Sequence, residues 1–261
     1  MSGSPMPSEP GGSDPRTGSP TGGRSHALRE QLLRLPLVLG DQEARIDDDI
    51  DLLAEHIALT VPLRDITPIG PLRSFRQRSS YRIAGDTALT AASITPTRMW
   101  VEESADCSIV LLNQGHATYA LDCKRYRVQA GSTAIFLPGM AYSLENGLAS
   151  GLVYNLSQQL LARYLCEASD GRLDLDAALR HLQRPHPINL QRPELQPVLF
   201  GLRVLVRTID SLGPAESIAT RPFLQLQEGL YTLSSALLLP QAADRALASW
   251  QPMPRAPGLP R

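Results

Sequence analysis

No apolar run in this chain of 261 residues reaches the roughly 18 to 20 residues that a membrane-spanning helix needs. The N-terminus has no basic stretch leading into an apolar one, so no secretory leader is expected. Excess charge is also lacking: 25 Lys and Arg stand against 26 Asp and Glu, a formal net charge of -1. That balance argues against a broad electrostatic surface for nucleic acid, which needs clustered basic residues. Cysteine is scarce. Cys107, Cys123 and Cys166 are odd in number and show no C-x-x-C spacing, as suits reduced thiols in a cytoplasmic protein.

The common catalytic signatures are missing too. There is no G-x-S-x-G elbow, no phosphate-cradling P-loop, no G-x-G-x-x-G after a strand and no H-E-x-x-H. Five histidines, His26, His56, His116, His181 and His186, are scattered along the chain. The expectation is a soluble protein that is not an enzyme, uses no cofactor and does not contact a membrane.

Hydrophobic residues make up 43% and charged residues 20%, ordinary for a globular protein long enough to bury a sizeable core. Residues Met1 to Ser25 are rich in Gly, Ser and Pro and bury too little apolar surface to offset their ordering entropy, so a disordered tail is expected over 1–25. Ala27 to Val38 predicts a short helix cut by Pro36. Asp47, Asp48 and Asp49 suit the start of a helix to Leu59, with Ile50, Leu53, Ala54 and Ile57 at helical spacing.

From Pro71 the pattern shortens. Strands are predicted over Leu72–Gln77, Ser79–Ala84, Ala88–Thr95, Arg98–Glu103, Cys107–Gln114, His116–Leu121, Tyr126–Ala130, Ser132–Leu137 and Gly151–Leu156, with turn residues between them. Many short strands at close spacing imply a β-sandwich or small barrel. Beyond Gln158 helices are predicted over Leu160–Glu167 and Leu175–Leu182, then a proline-broken linker that exposes His181 and His186. Leu195, Leu199, Leu202, Val206 and Ile209 follow at helical steps, as do Leu226, Leu230, Leu233 and Leu237. The favoured reading makes these stripes a dimerisation surface; the other is an intramolecular hairpin over the barrel. Residues 240–261 are expected to be a Pro-rich disordered tail.

The stretch Gly131 to Asn146, GSTAIFLPGMAYSLEN, resembles the second cupin motif. Gly131, Gly139 and Asn146 fall in its places, and Tyr142 stands where that motif has a metal-binding histidine aimed into the barrel mouth. The strand Cys107–Gln114 supplies none of the histidines and the glutamate of the first motif, and His116 follows alone. A divalent metal needs three or four convergent ligands, so a barrel without metal is expected. An effector-binding barrel wants one or two aromatics and a few polar groups in an apolar shell. Trp100, Asn113, Tyr119 and Tyr142 are the candidates, Tyr142 first.

The run IDDDIDLLAEHIALTVPLRDITPIGPLRSFRQRSSYRIAG resembles the opening of the sensor domain of AraC/XylS-type transcription regulators. The run TRMWVEESADCSIVLLNQGHATYALDCKRYRVQAGSTAIFLPGMAYSL is similar to the barrel core of that family. The resemblance covers Ile46 to Leu239. It implies an α+β fold: a cupin-like β-barrel or jelly roll over 46–156, preceded by a short helix and followed by an antiparallel helix pair in a dimerisation region over 157–239. It also implies a small-molecule effector and a C-terminal DNA-binding domain of two helix-turn-helix units. Only 21 residues follow Pro240, and they are Pro-rich. The expectation is therefore a sensor and dimerisation module without direct DNA binding, a homodimer or heterodimer: a truncated product, a free-standing sensor paired with a full-length relative, or one half of a split system whose DNA-binding half is on another chain. The runner-up is a metal-free cupin-type enzyme or binding protein using Tyr142 or His116 as acid or base.

Overall fold

The computed structural model describes residues 21–40, 44–58, 61–212 and 221–243. Most of the two terminal tails lies outside them. Helix α1 spans Thr21–Leu33, earlier than the Ala27–Val38 expected, and ends before Pro36. Strand β1 (Arg45–Asp47) then leads to α2 (Ile50–Ala58), where the Asp49 carboxylate accepts a hydrogen bond from the Asp51 amide. That acid satisfies an otherwise orphaned amide of the first turn.

Ten strands build the barrel from there: β2 (Leu63–Pro68), β3 (Gln77–Ala84), β4 (Thr87–Ile94), β5 (Thr97–Val101), β6 (Asp106–Gln114), β7 (His116–Leu121), β8 (Lys124–Gln129), β9 (Thr133–Leu137), β10 (Tyr142–Asn146) and β11 (Ala149–Ser157). A later strand, β12 (His186–Asn189), pairs with β9. The larger sheet runs β1-β3-β4-β11-β6-β9-β12 and the smaller β2-β5-β10-β7-β8, all antiparallel. They close as a jelly roll.

Alternation explains the layering. On β6, Val110 and Leu112 face the barrel interior while Cys107, Ile109 and Leu111 face the helices. On β9, Ile135 and Leu137 point inward, and Ala134 and Phe136 outward. Along β6 and β9 the large sheet is therefore apolar on both faces, which is why these strands read as continuous apolar runs in the sequence. Its outer face is covered by α3 (Gln158–Ala168), α4 (Leu175–Leu182), α5 (Gln196–Ser211) and α6 (Arg221–Leu238). Ser157 and Asp174 cap α3 and α4 through their side chains.

Several expectations need correction. Leu72–Gln77 is not a strand: Leu72–Ser74 is a 3-10 turn after Pro71, and pairing begins only at Gln77. Strands β1, β2, β10 and β12 were not anticipated. His181 and His186 do not lie in an exposed linker. His181 ends α4, His186 opens β12, and their rings stack with centroids 4.1 Å apart. Residues 157–239 are not purely helical, because β12 returns to the sheet.

The leucine ladders belong to the hairpin reading. Leu195, Leu199, Leu202, Val206, Ile209, Leu226, Leu230, Leu233 and Leu237 are all at most 8% exposed within one chain and pack in a single cluster with the sheet. Within one chain these side chains are already covered. Helix α6 is buried around most of its circumference, including Gln227, Ser234 and Ser235. Those polar groups find partners inside: the Gln227 amide donates to the Asp86 carboxylate, and the Ser234 and Tyr154 hydroxyls lie 3.2 Å apart. The Arg82 guanidinium of β3 donates to Asp210 of α5 at 3.0 Å, tying sheet to helix.

Candidate functional site

Among the described residues, two places compete for a small ligand: the barrel mouth at Tyr142, and a cleft between the large sheet and α5.

At the mouth, Gly139 allows a close approach that no other residue fits. A Cβ there would lie 2.0 Å from the Ser104 carbonyl oxygen. The Ser104 amide also donates to the Gly139 carbonyl at 2.9 Å. This contact sets the bend that starts β10 and turns Tyr142 inward. The Tyr142 ring meets Tyr119 with centroids 5.8 Å apart, against Val110, Val128 and Leu137. Burial raises both phenols above the ordinary tyrosine range, with Tyr142 adding to the effect at Tyr119. Both stay protonated at neutral pH and are poor bases. The space at Tyr142, bounded by Val101, Ser104 and Pro138, is about 20 Å³, room for one water and no organic effector.

Asn146 closes the other end of β10. Its side-chain oxygen accepts from the Thr97 hydroxyl at 2.7 Å, and its amide donates to the carbonyls of Thr95 and Gly147. The motif asparagine clamps the β4–β5 turn and does not face a ligand.

Trp100 is not part of this group. Its register partners are Ser143 and Asp65, while Tyr142 pairs with Val101, so Trp100 points to the outer face of the small sheet. It is 37% exposed, with the Arg98 guanidinium 5.8 Å from its ring. His116 is also separated from Tyr142. Ala117 and Tyr119 point into the barrel, so His116 faces out, at the Gly147 end of β10. The acid–base pair of the enzyme reading is not assembled. Among the described residues, no three His, Cys, Asp or Glu side chains gather where they could hold a metal ion.

The cleft measures about 370 Å³, within the roughly 300–1,000 Å³ of small-molecule pockets. Leu111 of β6 and Leu152 of β11 form its floor. Leu199, Leu202 and Val206 of α5 form the facing wall, and Val38 contributes from the segment after α1. Asn113, Gln191, Gln196 and Arg203 are its polar residues. The Gln196 amide donates to the Leu190 carbonyl at 2.6 Å, which fixes that side chain. Of the four candidates, Tyr119 and Tyr142 meet inside the barrel, Asn113 stands at the cleft and Trp100 lies apart. The sequence offered no signal for Arg203 or Gln196, since the cleft exists only once α5 is laid on the sheet.

The geometry defines a class, a jelly roll of two antiparallel sheets with helices covering one of them. No family model matches the chain, and no curated protein matches it. Solved structures do. An AraC-like transcriptional activator, CuxR, is similar over 82% of this chain and 72% of its own, with 13% identity and a TM-score of 0.55. A cupin-like protein from Thermotoga maritima matches over 35% of this chain and 71% of its own, with 10% identity and a TM-score of 0.29. The EutQ protein of Clostridium difficile matches over 34% and 69%, again with 10% identity, at a TM-score of 0.28. At such identities the likeness concerns fold. No described helix is long and apolar enough to cross a membrane.

Proposed function

We propose that this chain is the sensor module of an AraC/XylS-like regulator, binding a small effector in the cleft between the large sheet and α5. The cleft carries this reading. It is the size of a ligand pocket, apolar on both walls and polar at four positions. It lies at the seam of barrel and helical layer, so occupancy bears on how α5 sits against the sheet. The likeness to an AraC-like activator over 82% of the chain supports the regulatory part. A cytoplasmic location and a role in binding rather than catalysis belong to the same reading.

Self-association, or pairing with a full-length relative, is also proposed. It must use a surface other than the leucine ladders.

The test is titration with Nile red, an uncharged apolar dye. The wild-type chain should bind one dye per chain with a fluorescence rise. Leu202→Trp, which fills the cleft, should weaken binding at least tenfold while the fold is retained. Equal binding to both proteins would remove the cleft as the site, and the sensor reading with it.

A further inference from the structure

The cleft's polar residues are unequal, and their differences point to the charge of its occupant. Asn113, Gln191 and Gln196 are neutral. Arg203 is the single ionisable side chain lining the cleft among the described residues, and it is a cation. It projects from α5 between Leu199 and Leu202 on one side and Val206 on the other, at i+4, i+1 and i-3. Arg192, nearby in sequence, has its charge answered by Glu194 at 3.1 Å. Arg82, on the sheet, is answered by Asp210 at 3.0 Å. No acid among the described residues answers Arg203, and none lines the cleft. A guanidinium presents a rigid fork of donors that matches a carboxylate, and Arg203 is exposed and reachable from the cleft.

The rest of the lining is mostly apolar. Leu111 and Leu152 come from the sheet and Leu199 and Leu202 from α5, and Arg203 is the one charged group among the described lining residues. Burying apolar surface there contributes about 25 cal/mol per Å². A wholly polar ligand would leave these walls unused, and a neutral apolar one would leave Arg203 unanswered.

We infer that the cleft takes an amphipathic organic anion, its carboxylate against Arg203 and its apolar body between Leu111 and Leu152 on one side and Leu199 and Leu202 on the other. The inference rests on the effector reading of the same cleft. The coupling to regulation is direct. Helix α5 supplies both the cationic edge and the apolar wall, and it carries Asp210, which is paired with Arg82 of the sheet. A bound anion adds a second bridge between α5 and the barrel.

Calorimetric titration with octanoate and with 1-octanol, which share an apolar tail and differ in the head, tests this. Octanoate should bind the wild-type chain about twofold to fivefold more tightly, as an exposed ion pair gives. Arg203→Gln should bring the two ligands to parity while leaving octanol binding unchanged. Arg207→Gln, one turn further along α5 and outside the cleft, should keep the preference. Equal affinities for the wild type, or a preference that survives Arg203→Gln, would overturn the anion assignment and leave the cleft standing. Loss of neither ligand in Leu202→Trp would overturn the cleft itself.

Discussion

Single residues decide the geometry at the barrel mouth. Gly139 faces a backbone oxygen 2.0 Å from where its Cβ would stand, so even alanine must push two segments apart. Tyr142 is a phenol that stays protonated and closes the barrel interior with Tyr119. Residues Gly131 to Asn146 serve packing, with Asn146 as a hydrogen-bonded clamp. His181 carries a pH prediction. Burial and the stacked His186 ring lower its pKa below that of a free histidine, near 6.5. The folded state thus prefers neutral His181. Its contribution is fully present above about pH 6.5 and is lost as pH falls below that value towards the lowered native one. Thermal melts from pH 7.5 to pH 5 should show a falling Tm, and His181→Leu should flatten the decline. An unchanged slope in the variant would contradict this account.

At the scale of elements, α5 and α6 show what the pattern conveyed and what it did not. Their apolar stripes mark the right residues as buried. A stripe states that a face is covered, however, and not by what. Here the cover is the outer face of the large sheet, whose continuous apolar strands SIVLL and AIFL were the matching clue. The strands that escaped notice are explained similarly. Strand β12 holds Pro187 and lies at a sheet edge, where proline is tolerated. Strand β10 has five residues, of which only Asn146 is fully buried, so it lacks a strong alternation. Of the residues lining the cleft, Asn113 is among the sequence candidates and Arg203 is not, since an exposed arginine on a helix looks the same whether or not a cleft lies beside it. Ile209→Ala should lower stability by about 2–5 kcal/mol, the cost of a core truncation. Its Tm shift should be the same at protein concentrations differing a hundredfold. A shift that grows on dilution would return the ladder to a subunit interface.

At the scale of the whole molecule, the helical layer and the barrel share one large hydrophobic cluster, with smaller clusters inside the barrel. The two halves pack against each other, and the cleft lies at their seam. A ligand present at a hundred times its Kd stabilises the folded state by about 2.7 kcal/mol. Self-association belongs to this scale as well. Sedimentation of the wild-type chain at micromolar concentration should report a dimer whose population is unaffected by Ile209→Ala, and a strict monomer would count against the regulatory reading.

The central claim is that the effector sits between sheet and helix and not inside the barrel. Methyl NMR of Leu- and Val-labelled protein titrated with octanoate tests it most directly. The account predicts shifts at Leu111, Leu152, Leu199, Leu202 and Val206, with Val110, Val128 and Leu144 of the barrel interior unmoved. Shifts confined to those three barrel residues would contradict it.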